Sequence, residues 1–201
     1  MSKIESPVCT SCGRSKKDCK CKKNKNEFSA VIGCYYYKDR VVKAINECKN
    51  NEMPFLCERF AKDIAKCVEE RYSDIAFDLV SFVPMRKDEE RKRGYNQAKL
   101  IANGVSEILN LPCDNLLLKV EKIKPQKTRS TKERQLNVFG AFDVSNKGLV
   151  EDKIILLIDD VKTSGATLNE CSKMLRIYGA KAVYCAVLAL AGRRDENDNY
   201  V

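Results

Sequence analysis

A chain of 201 residues that is 44% hydrophobic can bury one substantial α/β core with a small appendage, and little more. A formal net charge of +9 favours polyanionic ligands, and the lack of any histidine excludes imidazole acid–base chemistry and a Cys–His nucleophile pair. No apolar run reaches the length of a membrane span and residues 1–5 lack a signal-peptide core, so the expected location is the cytoplasm.

The first stretch differs from the rest. Cys9 and Cys12 form a C-x2-C knuckle, and Cys19 and Cys21 add two more thiols. Four cysteines without histidine make a tetrahedral all-thiolate site, in which structural zinc would fold a segment with almost no apolar residues of its own. The alternative is a lysine-rich tail, since the second pair is C-x-C rather than C-x2-C. Residues 1–25 carry eight Lys/Arg and two acids, or +6. Zinc on four thiolates contributes −2 and leaves +4, so contact with a nucleic-acid backbone is open to the knuckle but not required. The other seven cysteines are scattered in spacing and read as reduced core thiols.

Residues 30–37 (AVIGCYYY) predict a strand, with a turn at Lys38 and Asp39. Val41, Ile45 and Cys48 then mark one helix, and Leu56, Phe60, Ile64, Cys67 and Val68 a longer one that begins near Pro54. Residues 78–84 read as the next strand, stopped by Pro84. Residues 85–97 carry five basic and three acidic side chains. They read either as a solvated loop or, at the carboxyl edge of an open sheet, as a clamp in which arginine and lysine side chains meet a pyrophosphate. Gly94 permits a sharp turn, and Ala98, Ile101, Ala102, Val105, Ile108 and Leu109 mark the helix after it.

Residues 116–118 predict a short strand. Residues 119–134 have seven basic and two acidic side chains with hardly an apolar one after Ile123, which predicts a mobile loop, either lid or linker. A strand resumes over 138–144, and residues 182–190 (AVYCAVLAL) form another before a polar tail.

Between these lies the most informative stretch. Residues 154–158 (IILLI) show no alternation, as expected of a parallel strand covered on both faces. Asp159 and Asp160 follow, then Thr163, Ser164, Gly165, Ala166 and Thr167, then a helical stripe of Leu168, Cys171, Leu175 and Tyr178. Free N–H groups and hydroxyls at a helix start make a phosphate site. The competing reading is an ordinary strand–turn–helix in which Thr167 and Glu170 form a capping box.

The ordered string from Leu156 to Thr167 resembles the signature of type I phosphoribosyltransferases. With the cysteine cluster, Val83-Pro84-Met85, Arg93-Gly94-Tyr95-Asn96-Gln97-Ala98, Gln126, Arg134 and Asn137-Val138-Phe139-Gly140-Ala141-Phe142, the chain resembles the ComF family of competence-associated phosphoribosyltransferase-like proteins. The resemblance implies an open, mostly parallel sheet flanked by helices over residues 28–201, preceded by a zinc knuckle in residues 1–27. It implies that Asp159 and Asp160 take the ribose hydroxyls of phosphoribosyl pyrophosphate (PRPP), and that Val161, Lys162, Thr163, Ser164, Gly165, Ala166 and Thr167 wrap the 5-phosphate. Arg86 and Lys87 would take the pyrophosphate, and Lys127, Arg129, Lys132 and Arg134 would belong to a flexible catalytic loop.

Displacement of Mg2+-pyrophosphate through an oxocarbenium-like state suits a site without histidine. No base-binding hood is recognisable, so the acceptor stays open. The other function class is a non-catalytic nucleic-acid-binding or scaffold component of DNA uptake, with single-stranded DNA, a DNA-uptake helicase or a second copy of the chain as expected partners.

Overall fold

The computed structural model describes residues 3–21, 26–50, 53–120 and 141–192. In chain order the elements are β1 (Ala30–Tyr36), α1 (Asp39–Lys49), α2 (Leu56–Arg71), β2 (Leu79–Phe82), α3 (Lys87–Arg93), α4 (Gln97–Leu109), β3 (Leu117–Lys119), β4 (Phe142–Val144), β5 (Ile154–Lys162), α5 (Ala166–Ile177) and β6 (Ala182–Leu190). β1, β6, β5 and β2 lie side by side in that order, all parallel. β3 and β4 form a separate antiparallel pair.

The apolar run in β5 is explained by what covers it. Leu156 and Ile158 point into a core built with Ile45, Ile64 and Ile101 from α1, α2 and α4. Ile155 and Leu157 point the other way, against Leu168, Leu175 and the β3–β4 pair. A strand with a core on each face has no use for alternation, and each buried side chain contributes about 1.5–3 kcal/mol.

Three local outcomes differ from the sequence reading. Residues 87–93, read as a loop, form α3 with none of its residues buried. Its acids fill the first turn and its bases the last, complementing the helix dipole, and Gly94 ends it at φ 85°. No apolar stripe announces such a helix. The strand expected to stop near Ile158 continues to Lys162, because β6 stays paired to it as far as Leu190. The capping box is not formed: α5 starts at Ala166 behind a left-handed Gly165, so Thr167 already lies inside the helix.

α4 reaches the sheet edge because it packs closely on α2. A Cβ at Gly104 would lie 2.7 Å from the Ala61 Cβ. Gly104→Val is therefore expected to cost about 1–3 kcal/mol despite removing a helix-weakening glycine. A urea midpoint equal to that of the wild type would contradict this packing.

Candidate functional site

The period of two that sends Leu156 and Ile158 into one core and Ile155 and Leu157 into the other also separates the two acids. Asp160 turns toward α1 and α4. Its Oδ2 lies 2.9 Å from Lys49 Nζ and accepts a hydrogen bond from Gln97 Nε2 at 3.0 Å. Arg93 Nη1 in turn donates to Gln97 Oε1 at 2.7 Å, which fixes the amide so that its nitrogen faces the carboxylate. A carboxylate whose side chain is only 10% exposed thus has a cation and an amide facing one oxygen. Asp159 Oδ1 accepts the Asp160 N–H at 2.8 Å. Burial, then the neighbouring Asp160 charge, hold the Asp159 carboxyl well above the usual carboxylate range.

Asp159 lines a cavity of about 250 Å³ at the carboxyl ends of β2 and β5. Pro84 and Met85 form part of its wall, and Lys49, Arg93, Lys119, Asn96 and Gln97 bring polar groups to it. Asn96 sets the geometry of this edge. Its Nδ2 donates to the Val83 carbonyl at 3.1 Å, while its Oδ1 caps α4 by accepting the Ala98 N–H at 2.9 Å.

Beyond β5 comes the turn 163–167. Thr163, Ser164, Ala166 and Thr167 are exposed, and Ser164 Oγ accepts the Ala166 N–H at 3.3 Å. Gly165 has φ +86°, and a Cβ there would meet Lys162 Cε at 2.8 Å and Nζ at 3.3 Å. Only glycine fits both demands, and the Lys162 side chain folds back over the turn. Burial pushes the Lys162 ammonium below the usual lysine range. An exposed turn at the start of a 12-residue helix, with a lysine laid against it, can receive an anion.

The two arginine–lysine candidates after β2 lie elsewhere. Arg86 pairs with Asp88, its Nε 3.0 Å from Oδ1, and Lys87 faces a separate open depression with Glu90, Arg91 and Gly94. Neither lines the cavity beside Asp159; the lysines and arginine that do are Lys49, Lys119 and Arg93. Arg93 and Gln97 stand within a motif legible in the sequence, but the helical stripe of α1 gives no sign that Lys49 points at Asp160. Lys127, Arg129, Lys132 and Arg134 lie outside the described residues.

At the N-terminal end the sulfur atoms of Cys9, Cys12, Cys19 and Cys21 all lie within 4.8 Å of one another. The Cys9–Cys21 and Cys12–Cys19 separations are 3.6 Å and Cys19–Cys21 is 3.2 Å. A tetrahedron with metal–sulfur bonds of about 2.3 Å has edges of about 3.8 Å, so the cluster can hold a metal ion with little movement. Burial opposes ionisation of Cys9, but N–H groups of Cys12 and Ser11 and the adjoining thiols outweigh it and bring Cys9 down to about 7.

With this geometry in view, the likeness to known proteins is informative. The family profile described as phosphoribosyl transferase domain matches residues 95–201. Competence protein ComFC of Bacillus subtilis (strain 168) is 30% identical over 192 residues, covering 90% of this chain and 77% of that protein. Competence protein F of Haemophilus influenzae is 36% identical over 111 residues, covering 54% of this chain and 48% of the relative, so the match spans about half of that protein. Among solved structures, glutamine phosphoribosylpyrophosphate amidotransferase from B. subtilis is similar at 23% identity and a TM-score of 0.48, over 65% of this chain and 25% of that one. The mostly parallel sheet and the family match are those of a phosphoribosyltransferase domain. The chain belongs to the ComF family.

The two carboxylates predict opposite effects on stability. The folded-state value of Asp159 is raised, so its charge costs stability as pH climbs from the usual carboxylate range toward that raised value, and costs nothing below that range. Asp159→Asn, which keeps the oxygen that accepts the Asp160 N–H, should melt above the wild type at neutral pH, by about 2–4 °C for each kcal/mol relieved, with the gap closing in acid. Lys49→Met removes the cation from Asp160 and should destabilise by about 1–3 kcal/mol at neutral pH. Thermal melts of both variants across pH check the pair; equal shifts of one sign would refute the assignment.

Proposed function

We propose that the chain is a PRPP-binding, phosphoribosyltransferase-like protein that serves natural competence and DNA uptake in the cytoplasm. The observation that carries this reading is the junction of β5 and α5. Two carboxylates with different surroundings sit directly before an exposed, glycine-turned helix start, beside a cavity edged by Lys49, Arg93 and Lys119.

Each part has a chemical task in that reading. The turn 163–167 offers hydroxyls and helix N–H groups to a 5-phosphate, with Lys162 against it. Asp160, with Lys49 and Gln97 both on Oδ2, offers its other oxygen to the ribose hydroxyls. Asp159, facing the cavity, releases its proton when a cation or a developing positive charge arrives there, because its raised value comes from burial and a like charge. Lys49, Arg93 and Lys119 neutralise a departing pyrophosphate, a task for which Arg86 and Lys87 are less well placed. Mg2+, when bound with PRPP, would supply further charge neutralisation of the leaving group, and Asp159 and Glu89 are the carboxylates of the cavity lining that could hold it. Zinc is the metal proposed for the knuckle, since four thiolates leave no open position for catalysis.

A second reading keeps the fold without turnover, as a nucleic-acid-binding or scaffold component of DNA uptake. The observation in its favour is the exposure of Lys16, Lys17 and Lys20 on the knuckle.

Calorimetric titration of PRPP with Mg2+ separates the two. Saturable binding is expected in the wild type, with Asp160→Asn weakened about tenfold or more, which is about 1.4 kcal/mol. Absence of heat in the wild type, or Asp160→Asn binding unchanged, sinks the transferase-like reading. Salt-sensitive binding of single-stranded DNA with no response to PRPP favours the second.

A further inference from the structure

The cysteine knuckle, read from sequence as an appendage, packs against the sheet at β1 and β6. The Val31 N–H of β1 donates to the Thr10 carbonyl at 2.9 Å. A Cβ at Gly13, which has φ +80°, would stand 3.1 Å from Leu190 Cδ1 and 3.2 Å from the Val31 carbonyl, so the tip of the knuckle lies directly on β1 and β6.

One side chain leaves the knuckle toward the turn. Arg14 is closed into the loop between Cys9 and Cys19, its carbonyl accepting the Cys9 N–H at 2.8 Å. Its Nη2 donates to the Ala191 carbonyl at 2.8 Å. The Ala191 N–H donates to the Lys162 carbonyl at 2.9 Å. Lys162 lays its ammonium end over Gly165, at the centre of the turn. A chain of direct contacts thus runs from the thiol cluster through Arg14, Ala191 and Lys162 to the turn. A divalent ion on four thiolates contributes −2, which matches the two cations of this path, Arg14 and Lys162.

We infer that Arg14 is a positioning residue for the anion-binding turn, through which metal occupancy of the cysteine knuckle and phosphate binding at 163–167 support one another. Holding the four sulfurs fixes the Arg14 backbone, the guanidinium fixes Ala191, and Ala191 fixes Lys162 where its side chain closes over Gly165. Loss of the ion frees the first link and so loosens the last. The inference rests on the PRPP reading insofar as the turn must take a phosphate, and it goes beyond that reading by giving the knuckle a part in ligand affinity.

The test uses the full chain loaded with Zn2+, ribose 5-phosphate as the probe, and Arg14→Gln, which leaves all four thiols in place. The variant is expected to retain the zinc content of the wild type while binding ribose 5-phosphate about five- to tenfold more weakly, within the usual range of coupling between sites. Lys3→Ala removes an exposed cation of the same N-terminal segment off this path, and is expected to bind as the wild type does. Linkage requires the converse: saturating ribose 5-phosphate raises the wild type's zinc affinity, measured in competition with a chromogenic chelator, by the factor seen for the ligand. Equal ribose 5-phosphate affinity in zinc-loaded wild type and Arg14→Gln overturns the inference and leaves the PRPP reading standing. If Arg14→Gln loses zinc or fails to fold, the wild-type competition decides, and zinc affinity indifferent to ribose 5-phosphate overturns the inference. A wild type that binds no ribose 5-phosphate overturns both.

Discussion

A carboxylate can sit in a protein interior only with its charge matched, and the Asp160–Lys49 pair is where this chain meets that constraint. β5 is buried on both faces up to Ile158, yet it must deliver two acids within the next two residues. The solution draws on three other elements. α1 supplies Lys49, α4 supplies Gln97, and α3 ends so that Arg93 can orient the Gln97 amide. Removing the cation leaves an uncompensated buried charge rather than a neutral gap, which makes the pair more consequential than a surface ion pair.

The same strand separates two kinds of acid. Asp160 is faced by a lysine and an amide. Asp159, raised by burial and a like charge, lines the cavity. Neighbouring residues in a strand point to opposite faces, so this division follows from their adjacency. The turn that follows depends on a different neighbourhood, the ends of β6 and the cysteine knuckle.

The principal strands and helices were legible because burial leaves a pattern. β6 spans the residues read for it, and the stripes of α1, α2, α4 and α5 mark their buried faces except at Ile108, which is exposed. α3 was not legible, since a helix with its charges along the dipole and a glycine at its C-terminal end buries nothing and writes no stripe. The acid pair and the turn were visible as an ordered string, and the cysteines as spacing that the sulfur geometry fits. Lys49 was invisible as a partner for Asp160. The two are 111 positions apart in sequence, and a lysine at the end of an amphipathic helix is ordinarily a solvated charge. Arg86, expected to meet an anion, has its Nε 3.0 Å from Asp88 Oδ1, a neighbour that the sequence reading did not weigh.

The central claim is that the acid pair and the 163–167 turn together bind one phosphorylated ribose. A crystal soaked with PRPP and Mg2+ tests it most directly. The account predicts the 5-phosphate within hydrogen-bonding distance of the 163–167 turn, the ribose hydroxyls on Asp159 and Asp160, and the pyrophosphate toward Lys49 and Arg93. A ligand seated away from β5, or one that reaches the turn while Asp159 and Asp160 touch neither the sugar nor its metal, would contradict it.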